Sequence, residues 1–135
     1  MQRKVFDRLP GDRVSVTAIW VPVNREQSWD ELQTNAHREQ PRWLTDPRAV
    51  NFTDSTRRAA MAWAPVLDIK PLYGVQLPAW DVYLVFGPDA RWGPPGAPPP
   101  APAFWMHQLS TGAPANSIRL NPDQLRARIE AMLPK

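Results

Sequence analysis

Six of the nine residues from Pro94 to Pro102 are proline, in a chain of 135 residues with 17 prolines in all. A proline ring fixes φ and removes a backbone donor, so this stretch is neither a regular helix nor an inner strand. It reads as a stiff surface loop over 93–102, and it separates two segments of strand character. Upstream, Trp80-Asp81-Val82-Tyr83-Leu84-Val85-Phe86 is rich in β-branched and aromatic residues and stops at Gly87-Pro88-Asp89. Downstream, Ala103-Phe104-Trp105-Met106-His107-Gln108-Leu109 resumes the pattern. The two are expected to pair as antiparallel strands across the loop.

The rest of the chain alternates strand and helix signals. Val5 and Leu9 lie one helical turn apart within Gln2–Leu9, which reads as the tail of a helix before Pro10-Gly11-Asp12. Val14–Val23 is β-branched and apolar on both alternating faces, the pattern of a central strand buried on two sides. Ser28 and Glu31 have the spacing of a capping box, in which hydroxyl and carboxylate satisfy each other's orphan backbone donors. A helix should start there, with Trp29, Leu32 and Ala36 on its apolar stripe, and end before Pro41. Trp43–Pro47 reads as a loop and Ala49–Phe52 as a short strand.

A second helix should follow, capped by Asp54 or Ser55, with Ala59, Ala60, Trp63, Ala64 and Leu67 at helical spacing and Pro65 kinking or ending it. Tyr73–Pro78 is a turn-like lead into the next strand. Asn121 as N-cap, Pro122 at the first helical position, and Leu125, Ile129, Met132 and Leu133 on one face define a closing amphipathic helix. Strands separated by helices predict an α/β fold, with residues 1–135 as one domain. At 43% hydrophobic residues the chain has enough apolar surface to close a core.

Composition narrows the chemistry. Without cysteine the chain has no disulfide, thiolate zinc site, iron–sulfur cluster or thiol nucleophile. Its 16 basic residues against 13 acidic ones are scattered rather than gathered with aromatics on one face, so nucleic acid is not the expected partner. No apolar run approaches the roughly 20 residues of a membrane span. The 6 glycines are dispersed, no phosphate-cradling loop is formed, and no cofactor is expected.

Three sets of residues are candidates for function. His37 and His107, the only histidines, fall on a helix and a strand without ligand-like spacing; with Asp81 or Asp54 they define a small hydrolase or metal-enzyme reading. Ser110 beside His107 lacks the Gly-x-Ser-x-Gly elbow that exposes a nucleophile. Asp81 interrupts an apolar strand, so it either faces solvent at the strand's start or is buried with a raised pKa. The third set is aromatic: of 7 tryptophans, Trp20, Trp63 and Trp105 fit core positions and Trp92 does not. Trp80, Trp92 and Trp105, with the proline loop and Pro78, would make an aromatic binding surface; the alternative is a loop packed on its own indoles.

The order strand, helix, short strand, helix, then Tyr73-Gly74-Val75-x-x-Pro78 feeding a strand, its hairpin partner and a closing helix, resembles the thioredoxin-like superfamily over Val14–Leu133. The resemblance implies a three-layer α/β/α sandwich with a central mixed sheet, and Pro78 at the place of the family's cis-proline. Redox members carry Cys-x-x-Cys at the start of the first helix, where the helix dipole stabilises the thiolate. This chain departs from that pattern: the motif is absent, Val14–Val23 would match the family's next core strand, and the first strand is expected to be missing.

The leading expectation is therefore a non-redox binding or assembly module that holds a peptide segment or partner protein. The alternatives are a thiol–disulfide or peroxide-reducing enzyme whose cysteines lie upstream of Met1, and the small hydrolase or metal enzyme. A missing first strand would leave the Val14–Val23 edge open for a homodimer. The location expected is cytoplasmic for a full-length chain, and periplasmic or secreted if an N-terminal segment precedes it.

Overall fold

The computed structural model describes residues 1–11, 13–22 and 28–134; the side chains of 2, 29, 37 and 39–43 lie outside that description. Elements follow in the order 3₁₀ turns Gln2–Lys4 and Phe6–Arg8, β1 (Val16–Trp20), α1 (Trp29–Trp43), β2 (Ala49–Thr53), α2 (Arg58–Val66), β3 (Val82–Val85), β4 (Phe104–His107) and α3 (Pro122–Met132). The fold is mixed α/β. Its strands pair as two small sheets, β1 with β2 in parallel and β3 with β4 antiparallel, where one central mixed sheet was expected. The chain divides into two compact units, Met1–Arg57 with Pro122–Lys135, and Arg58–Asn121.

In the first unit β1, α1 and β2 make a parallel crossover, with Val16 beside Ala49 and Trp20 beside Thr53. Helix α1 starts as its capping box requires. Glu31 N–H donates to Ser28 Oγ at 3.2 Å, while Ser28 N–H and then the Ser28 hydroxyl donate to Glu31 Oε2 at 2.8 and 3.1 Å and hold the Glu31 carboxyl below the usual range. The helix buries Leu32 and Ala36. It runs through Pro41 to Trp43 rather than ending before it.

The first segment forms two 3₁₀ turns instead of the tail of an α-helix, with Val5 and Leu9 buried as their spacing requires. Helix α3 packs on the first of these turns and buries Leu125 and Ile129. The expectation of a strand buried on two sides is corrected: along β1 and β2 every second residue is exposed, so Thr17, Ile19, Val50 and Phe52 share an open face. Val23, the last residue of that expected strand, lies outside the described residues.

In the second unit α2 ends in a Schellman motif. Ile69 N–H reaches the Ala64 carbonyl at 2.9 Å and Asp68 N–H the Pro65 carbonyl at 3.2 Å, with Asp68 left-handed at φ 55° in the place usually taken by glycine. The helix starts at Arg58, after a turn in which Asp54 Oδ1 accepts from Thr56 N–H at 3.0 Å. Asp54 thus caps the turn that leads into the helix. The motif's apolar residues Ala64 and Ile69 join Trp63, Leu67, Ala79 and Leu109 in the core cluster, against which Trp80, Leu84, Phe86 and Trp105 are packed.

Tyr73 (φ 50°) and Gly74 (φ 77°) are the central residues of a primed turn, closed by reciprocal 2.9 Å bonds between Leu72 and Val75. Strand β3 is shorter than its sequence pattern, because Asp81 is left-handed (φ 49°) and delays the extended run to Val82.

Candidate functional site

The four residues expected to form one aromatic surface occupy different environments. Pro78 is buried, its peptide bond trans, and Ala79 behind it ties to α2 through a 2.9 Å bond to the Ala60 carbonyl. Trp80 and Trp105 are half-buried against the core. Trp92 alone among the four is open, at 63% exposure. It stands edge-on to Trp63 at 5.8 Å and tilted to Phe86 at 5.5 Å, and those two rings meet at 5.5 Å. Rings at these separations and tilts attract beyond their area burial, so the buried Trp63 fixes the orientation of the exposed indole.

The proline loop beside it is ordered by its own chemistry. Pro95 and Gly96 (φ 91°) form a tight turn closed by Ala97 N–H on the Pro94 carbonyl at 3.0 Å. Pro99, Pro100 and Pro102 are half-buried, while Pro98 and Ala101 are exposed. The loop leaves an apolar rim next to Trp92 and Gly93, built of rings that lose little entropy when a partner settles on them.

His107 does not act on Ser110. It is 3% exposed, and Leu109 N–H donates to its Nδ1 at 3.1 Å. Neutral imidazole carries a single ring proton, so that proton is on Nε2, which donates to Ser117 Oγ at 3.0 Å. The Ser117 hydroxyl in turn donates to the Pro114 carbonyl at 2.6 Å. The ring is therefore a donor toward the serine and not a base able to take its proton, which removes a Ser–His nucleophile at this position. Burial, and then the positive Arg119, hold the His107 pKa below the usual histidine value.

Asp81 faces solvent, the first of its two expected positions, and its carbonyl accepts Gln108 N–H at 2.8 Å. Its charge reaches Tyr83, whose hydroxyl donates to Gln108 Oε1 at 2.6 Å. Asp54 belongs to its turn. The side chains of His37, Trp29 and Trp43 lie outside the described residues. Among the described residues no three histidine or carboxylate side chains come together as a metal site. A hollow of about 300 Å³ lies beside Val66, Leu67, Trp105, Pro114 and Ser117, open along one side.

One arrangement was not singled out from sequence. Asp46, buried just before β2, takes Arg48 Nε at 2.8 Å and Nη2 at 2.6 Å, a two-pronged pair. The other guanidinium donors reach the carbonyls of Phe6, Leu9 and Pro10. The signal available was Asp46-Pro47-Arg48 directly before a strand, but nothing local indicates that its arginine reaches back across some 40 residues to the first segment. With every donor engaged, this cluster reads as a clamp on the N-terminal turns.

No family model, curated protein or solved structure matches this chain. No described helix is long and apolar enough to cross a membrane.

Proposed function

We propose that the chain is a non-redox, thioredoxin-like binding module that holds an extended peptide segment or a partner protein against Trp92 and the proline loop. The observation that carries this reading is an indole 63% exposed yet oriented by two aromatic rings beneath it, beside a rim of prolines. Tryptophan contributes a large, rigid, amphipathic contact surface at small entropic cost, which is why it concentrates at binding hot spots. The locked Nε2 proton of His107 and the absence of cysteine favour binding over acyl transfer or disulfide exchange.

The thioredoxin-like part of the proposal is supported by the order of elements, a parallel β–α–β unit, a helix, an antiparallel hairpin and a closing helix, and by the Tyr73-Gly74 turn before Pro78. On this reading β1 stands in the place of the family's next core strand, the turns of Gln2–Leu9 stand for the remnant of its motif-bearing helix, and its first strand has no counterpart among the described residues.

A peptide array probed with the full chain and with Trp92→Ala tests the binding reading. Extended proline- or aromatic-containing peptides should bind the natural chain and lose at least about tenfold with the variant, the scale of one hot-spot side chain. Equal binding by the two proteins, or none by either, overturns it.

A further inference from the structure

The segment Pro114–Leu120 is held to β4 around one residue. His107 N–H donates to the Ile118 carbonyl at 3.1 Å, and its own carbonyl accepts Leu120 N–H at 2.8 Å. The imidazole adds a third attachment, the 3.0 Å bond to Ser117. Pro114, Asn116 and Ser117 line a hollow together with Val66, Leu67, Asp68 and Trp105. The geometry of the ring makes the third attachment conditional on its protonation state.

We propose that His107 is an acid-sensitive latch for this strap: a proton at Nδ1 turns the acceptor of the Leu109 amide into a donor facing it, so the ring leaves its place, releases Ser117 and loosens the strap that lines the hollow beside Trp105. Two donors aimed at each other at 3.1 Å cannot both be satisfied, and the site is too buried for water to relieve them without movement. The latch does not depend on peptide binding at Trp92.

Among the described residues, the charge that acts on the ring favours release. Arg119, on the strap itself and bridged to His107, repels the imidazolium. On the neighbouring strand Val82 stands opposite His107, Asp81 beside it faces solvent, and the Tyr83 hydroxyl is occupied by Gln108. At the end of α2, Asp68 is paired with Lys70 at 2.6 Å. A histidine whose folded pKa is lowered contributes stability that is full above about pH 6.5 and is lost as pH falls through the folded pKa.

Hydrogen exchange of the full chain, corrected for the intrinsic pH dependence of amide exchange, tests the latch. Between about pH 7.5 and pH 5, the Leu109 and 117–120 amides should lose up to about 30-fold in protection, the limit set by an open state titrating near pH 6.5. His107→Asn keeps an acceptor near the Leu109 amide and does not titrate, so its strap protection should stay flat over the same range. Undiminished protection in the natural chain, or an equal loss in the variant, overturns the proposal. Ring nitrogen shifts of the natural chain give an independent reading: Nδ1 should be unprotonated at neutral pH, and a proton found there also overturns it.

Discussion

Arg48→Ala should destabilise the β1–β2 unit more than any surface substitution in it. The guanidinium uses all five of its donors. Asp46 takes two at 2.8 and 2.6 Å, and the carbonyls of Phe6, Leu9 and Pro10 take the others at 2.7, 3.3 and 3.0 Å. The Asp46 side chain is 3% exposed and that of Arg48 16%, so truncation removes the guanidinium that balances a buried carboxylate, leaving the residue-48 N–H on Oδ1 at 2.9 Å, and takes a charged donor from three backbone acceptors. Breaking a buried pair from one side costs about 3–5 kcal/mol. The partial exposure of the arginine places this case near the lower end, at about 3 kcal/mol.

Urea unfolding followed by far-ultraviolet dichroism measures the loss. At a slope of about 2 kcal/mol/M the midpoint should fall by about 1.5 M. Arg48→Lys keeps the charge but not the planar fork, and should lose about 1–2 kcal/mol. In a double-mutant cycle with Asp46→Asn, the two single losses should together exceed the double loss by at least about 1 kcal/mol. An Arg48→Ala loss below about 0.5 kcal/mol, or additivity in the cycle, would refute the clamp.

Gly112 and Gly96 make a matched pair, since both have positive φ but only a Cβ on Gly112 meets neighbours, at 2.8 Å from the Lys70 carbonyl and from Leu77 Cδ1. Gly96→Ala should cost about 1 kcal/mol of backbone strain and Gly112→Ala about 2–4 kcal/mol, read as urea midpoints; equal losses would show that the close approach does not matter. Burial, and secondarily the charge of Asp81, raise the Tyr83 pKa, so the unfolded chain ionises first. Stability from this group is full below about pH 10 and falls as pH rises through the folded pKa, and Tyr83→Phe should flatten that alkaline limb.

Elements whose cause lies within a few residues were legible in the sequence. The Ser28–Glu31 box starts α1, Pro122 starts α3, and the two strand-like segments flanking the proline loop pair antiparallel. Each rests on a propensity, a short-range hydrogen bond or a missing donor that the local chain carries with it. The aromatic site was legible in part. Trp92 stood out as a tryptophan with no core position, but its seat on Trp63 and Phe86 joins residues up to 29 apart, and Trp80 and Trp105 turned instead to the core.

The remaining features depend on groups that meet only after folding. Apolarity on both faces of Val14–Val23 favoured burial, yet burial requires something to cover each face, and Ile19 and Phe52 remain open. The Arg48 clamp needs carbonyls from the first turns, about 40 residues away in sequence. His107 could have been a base, a ligand or a core residue by its identity alone. Which nitrogen holds its proton was decided by one backbone amide, Leu109 N–H, aimed at Nδ1. Sequence thus determined where helices and turns begin, because those causes are local; tertiary structure decided which polar groups are satisfied and by whom, because a hydrogen-bond partner is a matter of position in space.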